Sequence, residues 1–300
     1  MPHRKFGVRA DGETVTAHEI SSRSGLKAVI LNQGAILQAL YLPDGRNVTL
    51  GFEDWEGYAA DQTYKGRLIG RNANRIIGAK FQIASQTSTL MANDGRNNLH
   101  SGPRGLDTRL WDVTSKDNGL QLKHVSPDGH DGFPGEVEVS LRVSLHETTL
   151  RLEIEAKTSQ LTPVNPTWHP YWNLAGTNHI DSHDLRIESD QITELETARI
   201  IDVRDTRFDF QRARPIGSVQ LDANYNHADS VTLTSNKTQL RVTSSLPDMQ
   251  IYTGDHLPQP RNGIAIEPQF RPNDINLSQE SLLSPREIYR HWIEYQFATH

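Results

Sequence analysis

Four short segments of the chain concentrate side chains that can bind a polar ligand or transfer a proton. The first, Gly70–Ile77, reads GRNANRII and places two arginines and two asparagines among small residues. Guanidinium and amide groups are planar donors, which suits them to hydroxyls or carboxylates. The alternative is a solvated strand edge, in which the same side chains face water.

The second segment, Asn97–Gly105, reads NNLHSGPRG and sets His100 behind two asparagines in a glycine-rich loop. An accessible imidazole titrates near neutral pH and can accept or donate a proton. The glycines could instead expose backbone N–H groups to a phosphate, but neither Walker spacing nor a following helix is predicted. An ordinary surface histidine is the other alternative.

The third segment, Asn165–Leu174, reads NPTWHPYWNL and holds His169 between Trp168 and Pro170. Aromatic faces can stack on the C–H face of a sugar ring, while asparagine and histidine can bond its hydroxyls. The alternative is that the aromatic rings fill a sandwich core. That alternative leaves the histidine between them unexplained.

The fourth segment, Ile264–Gln269, reads IAIEPQ, so that Glu267 ends an apolar run at a proline. A partly desolvated carboxylate has a raised pKa and is a candidate base. An exposed charge at a strand end is the alternative.

Other kinds of catalytic centre have little support in the sequence. The chain has no cysteine, which excludes disulfides, thiolate zinc sites and a cysteine nucleophile. Neither HExxH nor G-x-S-x-G occurs. His100, His169 and Glu267 could in principle form a two-histidine, one-glutamate zinc set, but nothing local requires it. We therefore expect neither a metal nor a cofactor.

Strands must position these segments, because the dominant hydrophobic period is two. Between Val137 and Thr158 apolar and polar residues alternate, with an interruption at 146–149, which predicts a hairpin with one buried face. Turn clusters rich in Pro, Asp, Asn and Gly separate further runs of this kind. These runs are Lys27–Leu31, Ile36–Leu42, Leu185–Ile187, Val231–Leu233, Leu240–Val242 and Gln250–Tyr252.

Evidence for helices is sparse. A short helical turn is predicted near Asp54–Ala60. Ser284–Glu287 has the form of a capping box, but the alternation from Tyr289 to Phe297 predicts a closing strand. Since no repeat, low-complexity tract or linker is present, residues 1–300 are predicted to form a single all-β domain, a large antiparallel β-sandwich.

Composition narrows the classes of partner. Hydrophobic residues are 35% and charged residues 23% of the 300, and the mean hydropathy is −0.60, as in globular proteins. A net charge of −6 argues against a nucleic-acid partner. Residues 1–12 lack the apolar stretch of a signal peptide, and no segment approaches the roughly 20 apolar residues of a membrane span. We expect a cytoplasmic protein without a membrane partner, whose oligomeric state the sequence leaves open.

Six motifs, in order along the chain, resemble those of the aldose 1-epimerase (galactose mutarotase) family. They are GRNANRI, NNLHSGPRGLDTRLW, DGFPGEVEVSLRVSL, HPYWNLAG, QIYTG and IEPQFRPNDIN. The likeness runs from about residue 29 to the closing strand. It implies a galactose mutarotase-like supersandwich and an isomerase that interconverts the α and β anomers of a free aldose without a cofactor. The expected ligand is a small monosaccharide.

The resemblance also implies roles for individual residues. Glu267 would be the general base, His169 the general acid, and His100 would assist at or near the ring oxygen. The residues that would orient the sugar hydroxyls are Asn74, Arg75, Asp222 and Gln250. The chain departs from the family at Ser101, where the family has glycine, and in its short connection from Gly254 to Glu267.

Two rival functions share this fold and surface. A hexose-6-phosphate 1-epimerase would need a cation for the phosphate, for which Arg71, Arg104 and Arg271 are candidates. A non-catalytic carbohydrate-binding protein would need no converging acid and base. The ordinary pKa values of Glu and His, about 4.3 and 6.5, place the two groups in opposite charge states near pH 5–6. A carboxylate such as Asp222 could keep a histidine protonated at higher pH.

Overall fold

Strands form most of the regular structure in the part of the chain that the computed structural model describes, residues 3–194 and 198–299. The strands of the first half are β1 (His3–Val8), β2 (Thr14–Ser21), β3 (Lys27–Leu31), β4 (Leu37–Tyr41), β5 (Leu68–Ile69), β6 (Arg75–Ile76), β7 (Lys80–Ile83), β8 (Gln86–Thr89), β9 (Asn98–Leu99), β10 (Asp112–Lys116), β11 (Gly119–Ser126), β12 (Val137–His146) and β13 (Thr149–Thr158).

The strands of the second half complete the sheets. They are β14 (Thr162–Pro163), β15 (Thr167–Trp168), β16 (Tyr171–Trp172), β17 (Asp184–Ile187), β18 (Gln191–Thr193), β19 (Ile200–Asp202), β20 (Arg214–Pro215), β21 (Asp222–Tyr225), β22 (Val231–Ser235), β23 (Thr238–Ser244), β24 (Asp248–Tyr252), β25 (Ile264–Gln269), β26 (Leu282–Leu283) and β27 (Tyr289–Thr299). The short 3-10 helices are Ile77–Ala79, Leu106–Thr108, His130–Gly132 and Asp274–Asn276.

The helical turn predicted near Asp54–Ala60 is confirmed as α1 (Trp55–Ala60). Asp54 caps it, because its carboxylate accepts a bond of 2.9 Å from the backbone N–H of Gly57. Glu56 adds a negative charge to the first turn, where the helix dipole favours one. The helix ends at Asp61, whose extended backbone starts the loop that leads to β5.

The hairpin predicted over 137–158 is also confirmed. Strands β12 and β13 pair from Val137 with Thr158 to His146 with Thr149. The alternate apolar residues of both strands are buried. The six other predicted runs lie in β3, β4, β17, β22, β23 and β24.

Two large antiparallel sheets dominate the molecule. The nine-stranded sheet has the order β10-β11-β12-β13-β27-β23-β22-β17-β20, and the six-stranded sheet has the order β16-β25-β24-β21-β18-β19. A four-stranded sheet, β1-β2-β3-β4, lies at the N-terminal end of the chain. The closing strand predicted at Tyr289–Phe297 is confirmed as β27, which lies inside the nine-stranded sheet. Ser284 does bond Glu287, but in a turn rather than a helix.

Apolar side chains from both large sheets meet in one core. The ring of Trp172, in the six-stranded sheet, lies 5.0 Å from that of Tyr295 and 5.7 Å from that of Phe297, both in β27. Burial of each large apolar side chain contributes about 1.5–3 kcal/mol, so this interface is the main source of stability. The all-β sandwich predicted from the sequence is therefore confirmed, and its organisation as a single domain stays a prediction.

Alternation along the six-stranded sheet separates core residues from a second, polar face. In β25, Ile264 and Ile266 join the core between the sheets, whereas Ala265 and Glu267 point the other way. This polar face carries the site described next.

Candidate active site

A pocket of about 340 Å³ opens on the polar face of the six-stranded sheet. Its lining includes all seven residues to which the resemblance assigned a role. These are Asn74, Arg75, His100, His169, Asp222, Gln250 and Glu267. The other residues of the lining are Gln62, Thr63, Tyr64, Leu99, Tyr171, Tyr252, His256 and Leu257.

Strand register assembles the floor of the pocket. Gln250 in β24 lies opposite Glu267 in β25 and Asn224 in β21. Cross-strand neighbours on one face have Cβ atoms about 4.5–5.5 Å apart, so residues distant in sequence become adjacent. The side-chain amide of Gln250 donates to Asp222 Oδ1 over 2.6 Å. Asp222 therefore lies in the pocket beside Gln250, as the resemblance implied.

The segment after β15 forms one wall. Trp168 points into the core, where its indole N–H donates to the carbonyl of Ala35 over 2.8 Å. Trp172 is buried in the core as well. The interpretation of these two tryptophans as rings that stack on a sugar is therefore wrong, because the sandwich needs both as core. Between them, His169 and Tyr171 line the pocket.

His169 and Glu267 meet at the centre of the site. His169 Nε2 lies 3.5 Å from Glu267 Oε1, and the two side chains are only 5% and 2% exposed. Among the described residues neither His169 Nδ1 nor Glu267 Oε2 has a hydrogen-bond partner. Each group thus keeps one buried polar atom unpaired in a nearly dry environment.

Burial disfavours the charged form of both Glu267 and His169. It raises the pKa of Glu267 well above its usual value, the charge of Asp222 raises it further, and that of Arg75 opposes the shift. Burial lowers the pKa of His169 to about 4. The expectation that the two groups carry opposite charges near pH 5–6 is wrong, because desolvation outweighs their ordinary difference. Between the two titrations the pair shares one proton, and burial favours its place on the carboxyl group.

Asp222 does not act on a histidine in the way that the sequence analysis considered. Its carboxylate contacts the amide of Gln250, and its other oxygen lies 3.7 Å from Arg75 Nη1. Its negative charge raises the pKa of Glu267. The idea that Asp222 keeps His169 protonated is therefore wrong for this geometry.

His100 is held as a neutral donor. The backbone N–H of Asn74 donates to His100 Nδ1 over 3.1 Å, so the neutral ring carries its proton on Nε2. The backbone of His100 donates in return to the carbonyl of Asn74. Burial, together with His169 and Arg75, lowers the pKa of His100 well below its usual value.

Arg75 is fixed between two carboxylates. Its Nε donates to Asp94 Oδ2 over 2.7 Å, and its Nη1 lies near Asp222. Asp94 was missed in the sequence analysis, because it lies in a turn rather than in one of the four segments. The positive charge on this wall is thus largely balanced.

Comparison with known proteins identifies the family. The family model described as aldose 1-epimerase matches residues 16–296. The chain belongs to the aldose 1-epimerase family. It is 32% identical to human galactose mutarotase, over 98% of this chain and 97% of the relative, and 29% identical to the aldose 1-epimerase of Escherichia coli K12, over 96% of each.

Solved structures agree with this assignment. The galactose 1-epimerase of Lactobacillus acidophilus NCFM superposes with a TM-score of 0.91 at 26% identity, over 99% of this chain and 98% of that one. A GalM/aldose epimerase homologue from C. elegans gives 0.90 at 26% identity, over 94% and 98%. The resemblance seen in the sequence is confirmed, and as a member of the epimerase family the chain is an isomerase.

The departure from the family's glycine at Ser101 is accommodated locally. His100, Ser101 and Gly102 have φ values of 55°, 68° and 82°, so the loop turns through three left-handed residues. The Ser101 hydroxyl accepts from the backbone N–H of Asn72 and donates to the carbonyl of the same residue. These two bonds hold a conformation that glycine would adopt without strain.

Arg71, Arg104 and Arg271 do not line the epimerase pocket. Arg71 is buried and donates to the Ser126 hydroxyl and to the carbonyls of three residues, Ser126, Pro127 and Pro134. Arg104 pairs instead with Asp131. Their interpretation as phosphate ligands is therefore not supported. The solvated strand edge considered for 70–77 is wrong too, since 70–74 are buried.

Two further features of the described residues concern other partners. Within that part of the chain, no group of three or more His, Asp or Glu side chains is arranged as a set of metal ligands. None of its helices has the length and hydropathy needed to cross a bilayer. The cytoplasmic location and the exclusion of nucleic acid stay predictions from the sequence.

Proposed function

We propose that this epimerase interconverts the α and β anomers of a free aldose, with Glu267 as base and His169 as acid. The observation that carries the proposal is the 3.5 Å contact between the carboxylate and the imidazole, both buried, in a pocket of small-ligand size. Galactose is the first sugar to test, because it appears in the names of the human and Lactobacillus relatives.

Anomerisation needs one proton removed and one supplied. Glu267 takes the proton of the C1 hydroxyl, the C1–O5 bond breaks as the C1 carbonyl forms, and the electron pair of that bond goes to O5. His169 gives its proton to O5. After rotation about C1–C2 the same transfers run backwards from the other face, so nothing is consumed and no cofactor is required.

The charge state of the pair sets a condition on this cycle. Ring opening converts a carboxylate and an imidazolium into a carboxylic acid and a neutral imidazole. Burial shifts the pKa of Glu267 upward and that of His169 downward, which favours the neutral products of this step. The same shifts favour the neutral pair in the resting site, so the proton of Glu267 must pass to His169 before the ring opens, and the free energy of forming this charged pair is part of the barrier.

The remaining lining residues have a supporting role in the proposal. His100 donates from Nε2 to the ring oxygen or to a hydroxyl beside it. The residues that bind the other hydroxyls are Asn74, Arg75, Asp222 and Gln250. Because Asp94 holds Arg75 and Gln250 is bonded to Asp222, these groups are preorganised.

The variant Glu267→Gln tests the base. The amide keeps the shape of the side chain but cannot take the proton, so we expect kcat to fall by about 10²–10⁴ while the affinity for galactose changes by less than about threefold. Polarimetry of freshly dissolved α-galactose gives the rate, and isothermal titration gives the affinity.

A matched control for this variant is Glu155→Gln on the exposed face of the nine-stranded sheet, which should behave like wild type. A Glu267→Gln rate within about tenfold of wild type would reject the base assignment. If wild type accelerates mutarotation of neither galactose, glucose nor arabinose, the function itself is rejected and a carbohydrate-binding protein is favoured.

A free aldose is favoured over a sugar phosphate by the charges of the lining. Among the described residues of the pocket, Arg75 is the only arginine or lysine, and it is already paired with Asp94 and close to Asp222. A dianionic phosphate would meet these carboxylates without a free cation. We expect galactose 6-phosphate to be a poorer substrate than galactose, by at least about tenfold in kcat/KM.

A further inference from the structure

A tyrosine of the loop between α1 and β5 covers both imidazoles of the pocket. The ring centroid of Tyr64 lies 4.6 Å from that of His100, at 69°, and 6.1 Å from that of His169, at 35°. The two imidazole centroids are 5.7 Å apart. The three rings therefore form one cluster in which the tyrosine touches the faces or edges of both histidines.

The backbone at Tyr64 is held in an unfavourable conformation. Its φ of 60° lies in the left-handed region, which costs a bulky residue about 1–2 kcal/mol. The buried carboxylate of Asp61 offsets this cost by accepting from the backbone N–H groups of Thr63 and Lys65 and from the Thr63 hydroxyl. We name this segment, Asp61–Arg67, the Asp61 loop. Strain of this kind persists where the surroundings determine the conformation.

The Asp61 loop is also bonded to the segment that carries His169. Gly66 N–H donates to the carbonyl of His169 over 2.9 Å, and His169 N–H donates to the carbonyl of Arg67 over 3.0 Å. Gly66 has a φ of 68°, and a Cβ there would lie 2.2 Å from the carbonyl oxygen of Leu37. These two backbone bonds thus fix the Asp61 loop, and with it Tyr64, against the segment that carries His169.

We propose that Tyr64 is a positioning residue of this site, whose ring fixes the two imidazoles against each other and keeps water away from them. The proposal rests on the proposed function for its effect on rate. Burial lowers the pKa of both histidines, which agrees with a ring that covers them. Removal of the ring should admit water, loosen the imidazoles and raise the pKa of His169.

Two substitutions distinguish the effect of the Tyr64 ring from the effects of its backbone conformation and its hydroxyl. Asparagine tolerates a positive φ, so Tyr64→Asn removes the ring with little backbone strain. Tyr64→Phe keeps the ring and removes only the hydroxyl. Tyr41→Ala, on the four-stranded sheet and outside the pocket, is the control for loss of a tyrosine. Thermal melting checks that each variant is folded.

The first measurement is an NMR titration of the imidazole signals without sugar. In Tyr64→Asn we expect the pKa of His169 to rise from about 4 by about one unit or more, and in Tyr64→Phe to stay within about half a unit of wild type. Apart from the Tyr64 phenol, the ionisable groups facing His169 are the same in all variants: Glu267 from β25, His100 after β9, Tyr171 in β16, and Asp61 and Lys65 of the Asp61 loop.

The second measurement is the rate of mutarotation. We expect Tyr64→Asn to lower kcat by at least about tenfold with a smaller change in KM, and Tyr64→Phe to stay within about threefold of wild type. An unchanged imidazole titration together with an unchanged kcat in Tyr64→Asn would overturn the proposal. Since the titration needs no substrate, it still decides the role of Tyr64 if the wild-type protein fails to accelerate mutarotation.

Should Tyr64→Asn fail to fold, Tyr64→Leu replaces it, because leucine keeps an apolar cover without the aromatic contact. Its His169 pKa should then lie between those of wild type and the ordinary value of about 6.5. A value equal to wild type, with full kcat, would count against the proposal in the same way.

Discussion

At the scale of single residues, the site depends on two ionisable groups that burial pushes toward neutrality. Glu267 and His169 lie 3.5 Å apart and share one proton over the pH range between their titrations. For such a pair, the observed pKa values belong to the pair rather than to either residue. The catalytically competent pair contains one proton. With two protons the base Glu267 is already occupied, and with none His169 has no proton to give.

This arrangement predicts an unusual pH profile. The lowered pKa of His169, about 4, and the raised pKa of Glu267 set the two limits of the active range. We expect kcat/KM to stay constant through pH 6.5, where an ordinary histidine titrates, to fall only as the pH approaches about 4, and to fall again at higher pH as Glu267 loses its proton. Initial polarimetric rates, corrected for buffer-catalysed mutarotation, give the profile. An acid limb centred near pH 6.5 would contradict the buried, neutral His169.

Arg75 allows a prediction about binding. Its guanidinium bonds Asp94 through Nε while Nη1 reaches toward Asp222, and the single ammonium of a lysine cannot span both. We expect Arg75→Lys to raise KM by about 10–100-fold, with a smaller change in kcat. This change corresponds to the loss of one or two charge-assisted hydrogen bonds.

Steady-state polarimetry measures both parameters for this variant. The control is Arg290→Lys, whose exposed side chain bonds Glu155 on the other large sheet. An unchanged KM in Arg75→Lys would show that this guanidinium does not hold the sugar.

At the scale of elements, the six-stranded sheet places core and site on its two faces. In β24, Met249 and Ile251 pack in the core, while Gln250 and Tyr252 line the pocket. A shift of register by one residue would exchange these two sets, so the large core also fixes the floor of the site. Stability and function therefore share one constraint.

Alternation could predict the strands and which residues share a face, but not which strands become neighbours. The row formed by Asn224, Gln250 and Glu267 depends on pairing between distant segments, which alternation alone does not give. Tyr64 was missed because the Asp61 loop has no period at all. Family motifs supplied what periodicity could not, and so they located Asp222.

Two arginines four residues apart show the same limit. Arg71 and Arg75 belong to one motif and looked equivalent, because the irregular chain between them gives no period from which to infer direction. In the structure Arg75 faces the pocket, whereas Arg71 bonds the carbonyls at the end of β11 and beyond it. Only the three-dimensional partners separate an arginine that lines the pocket from one that holds loops of the fold together.

The bonds of Arg71 lead to a prediction about stability. Arg71→Met would leave one buried hydroxyl and three carbonyls without their donor, so we expect the free energy of unfolding to fall by at least about 3 kcal/mol. Urea denaturation measures it. Arg104→Met removes an exposed arginine that makes one bond to the largely buried carboxylate of Asp131, so it should cost less than the loss of the four bonds of Arg71. A raised KM without a loss of stability would instead indicate that Arg71 binds ligand.

At the scale of the whole molecule, many of the described histidines are buried or half-buried within the β-sandwich or against it. Burial lowers the pKa of seven of them: His18, His100, His124, His130, His169, His183 and His291. The unfolded chain protonates such groups near pH 6.5, whereas the folded chain excludes the proton until lower pH. Their contribution to stability is therefore complete above about pH 6.5 and is lost as the pH falls.

Four acidic side chains of the described residues act in the opposite direction. The pKa values of Asp107, Asp222, Asp248 and Glu267 are raised, mainly by burial, so the folded chain takes up these protons more readily than the unfolded one. These four groups offset part of the stability that the histidines lose as the pH falls.

His183 isolates the effect of one histidine. It is fully buried, and its Nε2 accepts a bond of 3.0 Å from the backbone N–H of Leu174, which requires the unprotonated ring. Burial lowers its pKa to about 4. Glutamine can accept the same bond without titrating, so between about pH 6.5 and 4 the stability of His183→Gln should fall less steeply than that of wild type, by up to about 1.4 kcal/mol per pH unit.

Chemical denaturation at several pH values measures the two slopes. His146→Gln is the control for a histidine-to-glutamine change, because His146 is exposed at the turn between β12 and β13. Parallel curves for wild type and His183→Gln would show that protonation of this ring does not oppose folding. A shallower slope for His183→Gln alone would instead assign part of the acid sensitivity of the β-sandwich to a single buried imidazole.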